Sequence, residues 1–249
     1  VKSNSLIKED ECLDDLQLNG LMIIQKKKAF KFGIDAVLVA NFASSKENDI
    51  VCDFGTGTGV IPLIFSAKNK FKKIYAFEIQ TDIANLAKRN FEYNKLQEKI
   101  ELVNLDIKNV VDYVGKSSVD VIISNPPYFK TGGAIVNEND YKAISRHEIK
   151  IDLEGLIRSG NEILKPNGSF YMIHRPDRLV DIMYYFRKYF IEPKLIQFVQ
   201  PKAGKVPNLV IIKAVKNGKN ELKYLPNLVV YNEDNTFTKE IDIIYGREG

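Results

Sequence analysis

The tetrapeptide Asn125-Pro126-Pro127-Tyr128, closing the apolar run Val119-Asp120-Val121-Ile122-Ile123-Ser124, sets two hydrogen-bond acceptors side by side on a stiff turn. A residue before proline is pushed into extended geometry, so Asn125 prolongs the strand direction and projects its amide past the sheet edge. Pro126 has no N–H, which leaves its carbonyl able to face a pocket without a competing donor beside it. The chemistry that suits this pair is methyl transfer to an exocyclic amine. An aromatic amine is a weak nucleophile because its lone pair is delocalised into the ring. The Asn125 side-chain oxygen and the Pro126 carbonyl can hold its two hydrogens and direct the lone pair at a methyl donor. Tyr128 is placed to stack on the base, a type of contact that contributes roughly 1–3 kcal/mol. Asn-Pro-Pro is also an ordinary turn signal, so the motif alone leaves the plain-turn reading open.

Upstream, Asp49-Ile50-Val51-Cys52-Asp53-Phe54 reads as a short buried strand, followed directly by Gly55-Thr56-Gly57-Thr58-Gly59. Val60 to Phe65 then opens an apolar helix, with Pro62 tolerable in its first turn. Strand, glycine turn and helix in that order bring backbone N–H groups close to a ligand. The dinucleotide fingerprint would need glycine at position 60, which is valine, and this weighs against a dehydrogenase. The next apolar run, Ile74 to Phe77, ends at Glu78, the separation at which an acid reaches the ribose hydroxyls of a bound nucleoside. The alternative for Glu78 is an ordinary surface carboxylate; its place at the end of an apolar run favours ligand contact. A third run, Ile100 to Asn104, leads to Asp106, placed to accept from an adenine amino group with Ile107 against the ring face. Asp106 also suits a helix cap, and the two roles are compatible. Three successive β-α units, each with a carboxylate near the strand's carboxyl end, describe a nucleoside pocket at the switch region of an open α/β sheet.

Asp53-Phe54-Gly55-Thr56-Gly57-Thr58-Gly59, then Glu78, Asp106 and Asn125-Pro126-Pro127-Tyr128 in that order, resemble the class I S-adenosylmethionine-dependent methyltransferases that act on amino groups. Asp14-Asp15-Leu16, Leu21 to Gln25, Phe30 to Leu38, Arg146-His147-Glu148 and His174-Arg175-Pro176 narrow the resemblance. They are similar to the bacterial tRNA1(Val) (adenine(37)-N6)-methyltransferase family, over nearly the whole chain from about Asp10 to Tyr245. The resemblance implies a Rossmann-like fold, a mostly parallel seven-stranded sheet with helices on both faces. It implies S-adenosylmethionine as cofactor, held by Phe32, Asp53, Gly55, Thr56, Gly57, Glu78, Ile79, Asp106, Ile107 and Asn125. It implies a tRNA adenosine as methyl acceptor, with Asn125, Pro126, Pro127 and Tyr128 as the catalytic group. Alternatives with the same core motif are a protein-glutamine N5-methyltransferase and a DNA adenine or ribosomal RNA guanine methyltransferase. A protein that binds RNA without catalysis is the rival of another class. The glutamine enzymes carry a helical recognition domain ahead of the core, whereas only roughly fifty residues precede Asp53 here.

With 249 residues and 45% hydrophobic content, the chain accommodates one catalytic domain with appendages. The expected division is an N-terminal extension over 1–45, a catalytic domain over 46–216 and a C-terminal extended segment over 217–249 packed on the core. There is no apolar run of about 18 residues to span a membrane. The polar, acidic start, with Glu9, Asp10, Glu11, Asp14 and Asp15, is unlike a secretory signal. Two cysteines, Cys12 and Cys52, and two histidines, His147 and His174, suggest neither a disulfide framework nor a metal site. A cytoplasmic monomer that takes tRNA, without metal or membrane, is the expectation.

The net charge of +4 is mild, but its distribution is uneven. Lys26, Lys27, Lys28 and Lys31 precede the core, and from Lys194 to Lys223 there are seven lysines and one acid, Glu221. Lys26, Lys27, Lys28, Lys202, Lys205 and Arg146 are the candidates for phosphate contact, in a binding mode that weakens steeply with salt. A solvated lysine surface is an equal alternative for each cluster taken separately. Periodicity predicts helices over 34–42, 60–68, 82–93, 152–164 and 177–189. Strands are expected near 50–54, 74–78, 100–104, 119–124, 169–173, 194–200 and 208–215. Leu18 to Phe32 reads as a short strand or hairpin, and Leu222–Tyr231 and Phe237–Tyr245 as short extended pieces. Phe129 to Ile149, without periodicity, is expected to be a functional loop that encloses the target base.

Overall fold

The computed structural model describes residues 6–28, 32–127 and 152–247. A hairpin of β1 (Glu11–Asp15) and β2 (Met22–Lys26) comes first, then helix α1 (Ile34–Phe42). Alternating units follow: β3 (Ile50–Phe54), α2 (Val60–Lys68), β4 (Lys73–Phe77), α3 (Thr81–Tyr93), β5 (Ile100–Val103), α4 (Val110–Val114) and β6 (Val119–Ser124). The chain continues through α5 (Leu153–Ile163), β7 (Leu164–His174), α6 (Leu179–Lys188), β8 (Ile191–Lys202) and β9 (Leu209–Lys216). It ends in two short strands, β10 (Lys223–Tyr224) and β11 (Leu228–Tyr231), and helix α7 (Lys239–Ile244).

The main sheet has the order β5-β4-β3-β6-β7-β9-β8, with β10 and β11 both hydrogen-bonded to β8. The seven strands expected from the family pattern are therefore joined by two short ones. From β5 to β7 all neighbours are parallel, whereas β9 is antiparallel to both β7 and β8. Parallel strands are covered on both faces and read as nearly continuous apolar runs, which is how β3 and β6 read. Asp120 interrupts β6, and its carboxylate accepts from the Ile50 N–H at 2.9 Å and pairs with Lys165 at 2.8 Å.

Two apolar layers flank the sheet. On one side Val37, Leu63, Phe65, Ile123 and Tyr171 pack with Leu16, Ile23, Val230 and Ile241, so both terminal segments share the core of the central domain. On the other, Phe54, Phe77, Ile157, Phe170, Met172, Ile182 and Phe186 form a second layer. Edge-to-face contacts of Phe54 with Phe77 and with Phe170 lock three strands beneath the glycine turn.

Two elements differ from expectation. The acidic stretch Glu11–Asp15 is the first strand of the hairpin, because buried Glu11 is neutralised by a bidentate pair of 2.6 Å bonds from Arg89 on α3. Phe237–Tyr245 is largely the helix α7; its run of isoleucines favours extended structure locally. Tertiary context decides for the helix, since Ile241 is buried in the core while Phe237 and Tyr245 stack on each other.

Candidate active site

The register sets four residues at one level. Phe54, Phe77, Val103 and Ser124 are paired neighbours on β3, β4, β5 and β6, so the next residues, Gly55, Glu78, Asn104 and Asn125, emerge together at the carboxyl edge. Asp53 lies one level below, between Ala76 and Ile123.

The glycine turn leaves β3 with positive φ at Gly55, Gly57 and Gly59, a region that L side chains rarely adopt. Gly59 is also a close approach: a Cβ there would lie 2.6 Å from the Phe91 ring of α3. Backbone N–H groups of the turn do not present the anion nest that its glycines suggest. Those of Gly55 and Thr56 donate to the Phe77 carbonyl at 3.0 and 2.9 Å, and that of Gly59 to the Thr56 carbonyl. The Gly57 N–H donates to Glu78 Oε2 at 3.0 Å. A phosphate would find these donors already engaged, so the dinucleotide reading loses its remaining support.

Glu78 is buried, and its second oxygen accepts from the Gln80 N–H at 2.9 Å. Burial pushes its carboxyl above the usual range, and the N–H groups of Gln80 and Gly57 work against the shift. Each oxygen retains a lone pair for a further donor such as a ribose hydroxyl. Asn104 braces this acid from the next strand. Its Nδ2 donates to the carbonyls of Glu78 (2.8 Å) and Ile79 (3.1 Å), and its Oδ1 accepts from the Thr81 hydroxyl. Asp106 caps the 3-10 turn Ile107–Asn109 by accepting from the Lys108 N–H at 2.9 Å, beside buried Ile107. The cap uses one oxygen of the carboxylate.

Asp53 carries the sharpest signal. It is buried, and neither carboxylate oxygen has a hydrogen-bond partner; the buried Thr56 hydroxyl also lacks one. Burial pushes the carboxyl up to about 7, the nearby Thr56 hydroxyl opposes the shift, and the Glu78 charge adds to it. Unpaired buried polar groups are rare because each carries its full desolvation cost. Two together beside a ligand-shaped turn fit a ligand that brings a positive charge and donors. Such a ligand is a cationic nucleoside rather than a nucleotide.

Comparison with known proteins follows the same line. The family described as Methyltransferase small domain matches residues 33–183. The chain belongs to that family. A tRNA1(Val) (adenine(37)-N6)-methyltransferase from Dyadobacter fermentans is 29% identical over 153 residues, 61% of this chain and 62% of that protein. One from Porphyromonas gingivalis is 28% identical over 189 residues, 74% of this chain and 73% of that protein. Among solved structures, a predicted O-methyltransferase from Agrobacterium tumefaciens superposes with a TM-score of 0.69 at 19% identity, covering 86% of this chain and 97% of that one. The fold is that of the Rossmann-like methyltransferases.

Around this methyltransferase site, Asn125 and Pro126 are half-buried and Pro127 is exposed, whereas Tyr128, Arg146 and His147 lie outside the described residues. The loop expected over Phe129–Ile149 lies outside them too. Ile79 is half-buried beside Glu78. Phe32 lines a cavity of about 180 Å³ with Leu16, Leu18, Val37, Ile64 and Tyr245, a set that includes no residue of the glycine turn.

The lysines of the C-terminal stretch separate into two groups. β8 runs parallel to β7, so Lys202 and the turn bearing Lys205 rise at the same edge as Asn125, three strands or roughly 14 Å to the side. Lys194 and Lys216 sit at the opposite edge, where they bind the carbonyls of Lys219 and Asn220 and of Asn161 and Leu164. Lys213 lies over the Tyr171 ring. On the other flank β2 runs along α3 toward that helix's N-terminus, bringing exposed Lys26, Lys27 and Lys28 to the catalytic edge beside Glu9 and Asp10.

Sequence reasoning passed over Asn104 and Asn90. Asn90 is fully buried on α3 among Ala84, Ala87 and Phe91. A polar residue on an otherwise apolar helix face was the available signal. Among the described residues there is no cluster of His, Cys, Asp or Glu suited to a metal ion, and no helix is long and apolar enough to cross a membrane.

Proposed function

We propose that this chain is an S-adenosylmethionine-dependent tRNA methyltransferase that modifies the N6 amine of an adenosine, at position 37 of tRNA1(Val) as in the relatives named above. The observation that carries this reading is the shared level of Gly55, Glu78 and Asn125, with the unpartnered Asp53 carboxylate beneath them.

In this reading Asp53 and the Thr56 hydroxyl receive the ammonium and carboxylate end of the cofactor, with Asp53 ionised on the ammonium. Glu78 accepts from the ribose hydroxyls, and Ile79 and Ile107 flank the adenine while Asp106 accepts from its amine. Bound there, S-adenosylmethionine supplies an electrophilic methyl group. Asn125 Oδ1 and the Pro126 carbonyl fix the two hydrogens of the target amine, which aims its lone pair in line with that methyl. Holding nucleophile and methyl in attack geometry is the main source of rate. The adenine is swung out of its anticodon-loop stack, at less cost than from a duplex, and Tyr128 stacks on it. Once methylated, the nitrogen is acidic and loses its proton to water, so no general base is required.

Lys26, Lys27 and Lys28 on one flank, and Lys202 and Lys205 on the other, hold the tRNA backbone, with Arg146 a further phosphate contact. The chain acts as a cytoplasmic monomer. Nucleoside analysis of tRNA from cells with and without this protein tests the assignment. Loss of N6-methyladenosine from the valine tRNA is the expected result, and an unchanged level refutes it.

A further inference from the structure

Asn90 is fully buried, and no step of the reaction above uses it, yet its side chain joins two segments that the reaction does use. Its Nδ2 donates to the Thr58 carbonyl in the glycine turn at 2.9 Å and to the Ile24 carbonyl in β2 at 3.1 Å. Its Oδ1 accepts from the Ile24 N–H at 2.6 Å. One helical turn on, Asn94 makes the same kind of contact with β2 but none with the turn, accepting from the Met22 N–H at 2.9 Å and donating to the Met22 carbonyl at 2.7 Å, while its Nδ2 also donates to the Asn90 carbonyl of its own helix at 2.7 Å. One edge of β2 pairs with β1, and on the other edge these two asparagines stand where a partner strand would. The Phe91 ring fills the space above Gly59, so α3 packs directly on the turn.

We propose that Asn90 is a positioning residue that couples the cofactor-binding glycine turn to the β1–β2 hairpin, so that an occupied turn fixes Lys26, Lys27 and Lys28 for the polyanionic substrate. The turn contains three residues in the left-handed region, and a ligand seated on it narrows its conformations. Through the chain Thr58 carbonyl, Asn90 amide, Ile24 backbone, the same restriction reaches the hairpin. RNA arriving second then has less ordering left to impose, which is positive coupling without a change of shape. Coupling between two sites is reciprocal, so bound RNA tightens the cofactor by the same factor. The RNA half of this proposal rests on the tRNA reading; the coupling of turn to hairpin does not.

The test measures amide hydrogen exchange of residues 22–28 in the full chain with and without S-adenosylhomocysteine as the unreactive probe. Slowing by about fivefold or more is expected in the parent, the lower bound of ordinary coupling. Asn90→Ser loses that slowing. Asn94→Ala, which loosens β2 without touching the turn, exchanges faster throughout but keeps it, and this a merely structural role for Asn90 does not produce. Should Asn90→Ser not fold, Asn90→Gln, with the amide displaced by one methylene, takes its place. A second arm titrates an anticodon stem-loop with and without the probe, and the same factor should appear in the parent and vanish in the Asn90 variant. Unchanged exchange in the parent on saturation, or slowing retained in the Asn90 variant, overturns the proposal. Slowing in the parent together with no stem-loop binding leaves the coupling standing and refutes the tRNA reading instead.

Discussion

Asp53→Asn should separate cofactor recognition from stability, and pH is the variable that shows it. In the free protein burial raises the Asp53 carboxyl to about 7 from an ordinary 3.8, with the nearby Thr56 hydroxyl only partly opposing the shift and the Glu78 charge adding to it. If the ionised form is the one that receives the cofactor's ammonium, affinity follows the ionised fraction. That fraction falls from about nine-tenths at pH 8 to about one-thirtieth at pH 5.5, so affinity for S-adenosylhomocysteine should drop about thirtyfold over that window. Glu78 is shifted in the same direction and adds to the slope, which is why the variant is needed. Asp53→Asn should bind at least tenfold more weakly at pH 8, from loss of a charged hydrogen bond of about 1.5–3 kcal/mol, and its slope should flatten. Stability moves the other way. A carboxyl whose folded value is raised contributes stability below its unfolded value and loses it as pH rises through the folded one. Above pH 7 the free protein therefore carries a cost of at most about 4 kcal/mol from Asp53, and Asp53→Asn should melt higher at pH 8 with the gain vanishing near pH 4. Calorimetric titration and thermal melts at four pH values measure both. A parent dissociation constant flat between pH 5.5 and 8, or a variant with the parent slope, refutes the assignment.

Asn125→Ala should bind S-adenosylhomocysteine almost normally and lose most of its turnover; a large loss of cofactor affinity with turnover preserved would put Asn125 in the wrong role. Glu78→Ala should weaken the cofactor by about tenfold or more, since a charged hydrogen bond to ribose is removed, and an unchanged dissociation constant returns it to a structural part. Replacing Lys26, Lys27 and Lys28, or Lys202 and Lys205, with glutamine should lower the log–log salt slope of tRNA binding by roughly 0.7–0.9 per lost contact. Lys194→Gln at the opposite edge should leave that slope alone, and equal effects from all three sets would mean that position on the sheet is irrelevant. Arg89→Met leaves buried Glu11 without its guanidinium, and chemical denaturation should show a loss of about 3–5 kcal/mol; a loss below 1 kcal/mol would mean that the pair does not hold the hairpin.

Much of the catalytic edge was legible in the chain because strand ends coincide with changes from apolar to polar residues. Phe54 to Gly55 and Phe77 to Glu78 mark such a change, Ile123 gives way to Ser124 just before Asn125, and the register brings Gly55, Glu78 and Asn125 to one level. The glycine turn was legible as a turn but not in its partners. Its N–H groups bind Phe77 and Glu78, and that depends on β4 lying beside β3, which no local pattern states. Net charge along the chain misled in the same way. Seven lysines between 194 and 223 look like one basic face, yet a strand reverses between Lys205 and Lys213, so the sheet carries them to opposite ends. Asn90 was hidden because a buried polar side chain is explained only by the backbone it meets, here Ile24 and Thr58.

In the proposed function the same edge holds ligands of opposite sign, and the fold keeps the two fields apart by depth. Asp53 and Glu78 are buried, one below the last paired level and one just above it, where low polarisability strengthens their pull on a cationic donor. In the turn, the N–H groups of Gly55, Thr56, Gly57 and Gly59, which elsewhere attract phosphate, are taken up within the protein. Lysines stand outside on two flanks, exposed at Lys26, Lys27, Lys28 and Lys205, where salt screens them and where a polyanion meets them first. Asn125 and the β8 end are offset sideways by three strands, roughly 14 Å, and Lys202 stands further along the strand direction, so the backbone contacts and the pocket are well separated. Under the proposed function, phosphate contacts would determine where the RNA lies, and the neutral pair of acceptors on Asn125 and Pro126 would determine which atom is methylated. Raising salt should accordingly raise the apparent KM for tRNA while leaving the KM for S-adenosylmethionine nearly constant. A parallel rise in both would mean that the two fields overlap and that depth does not separate them.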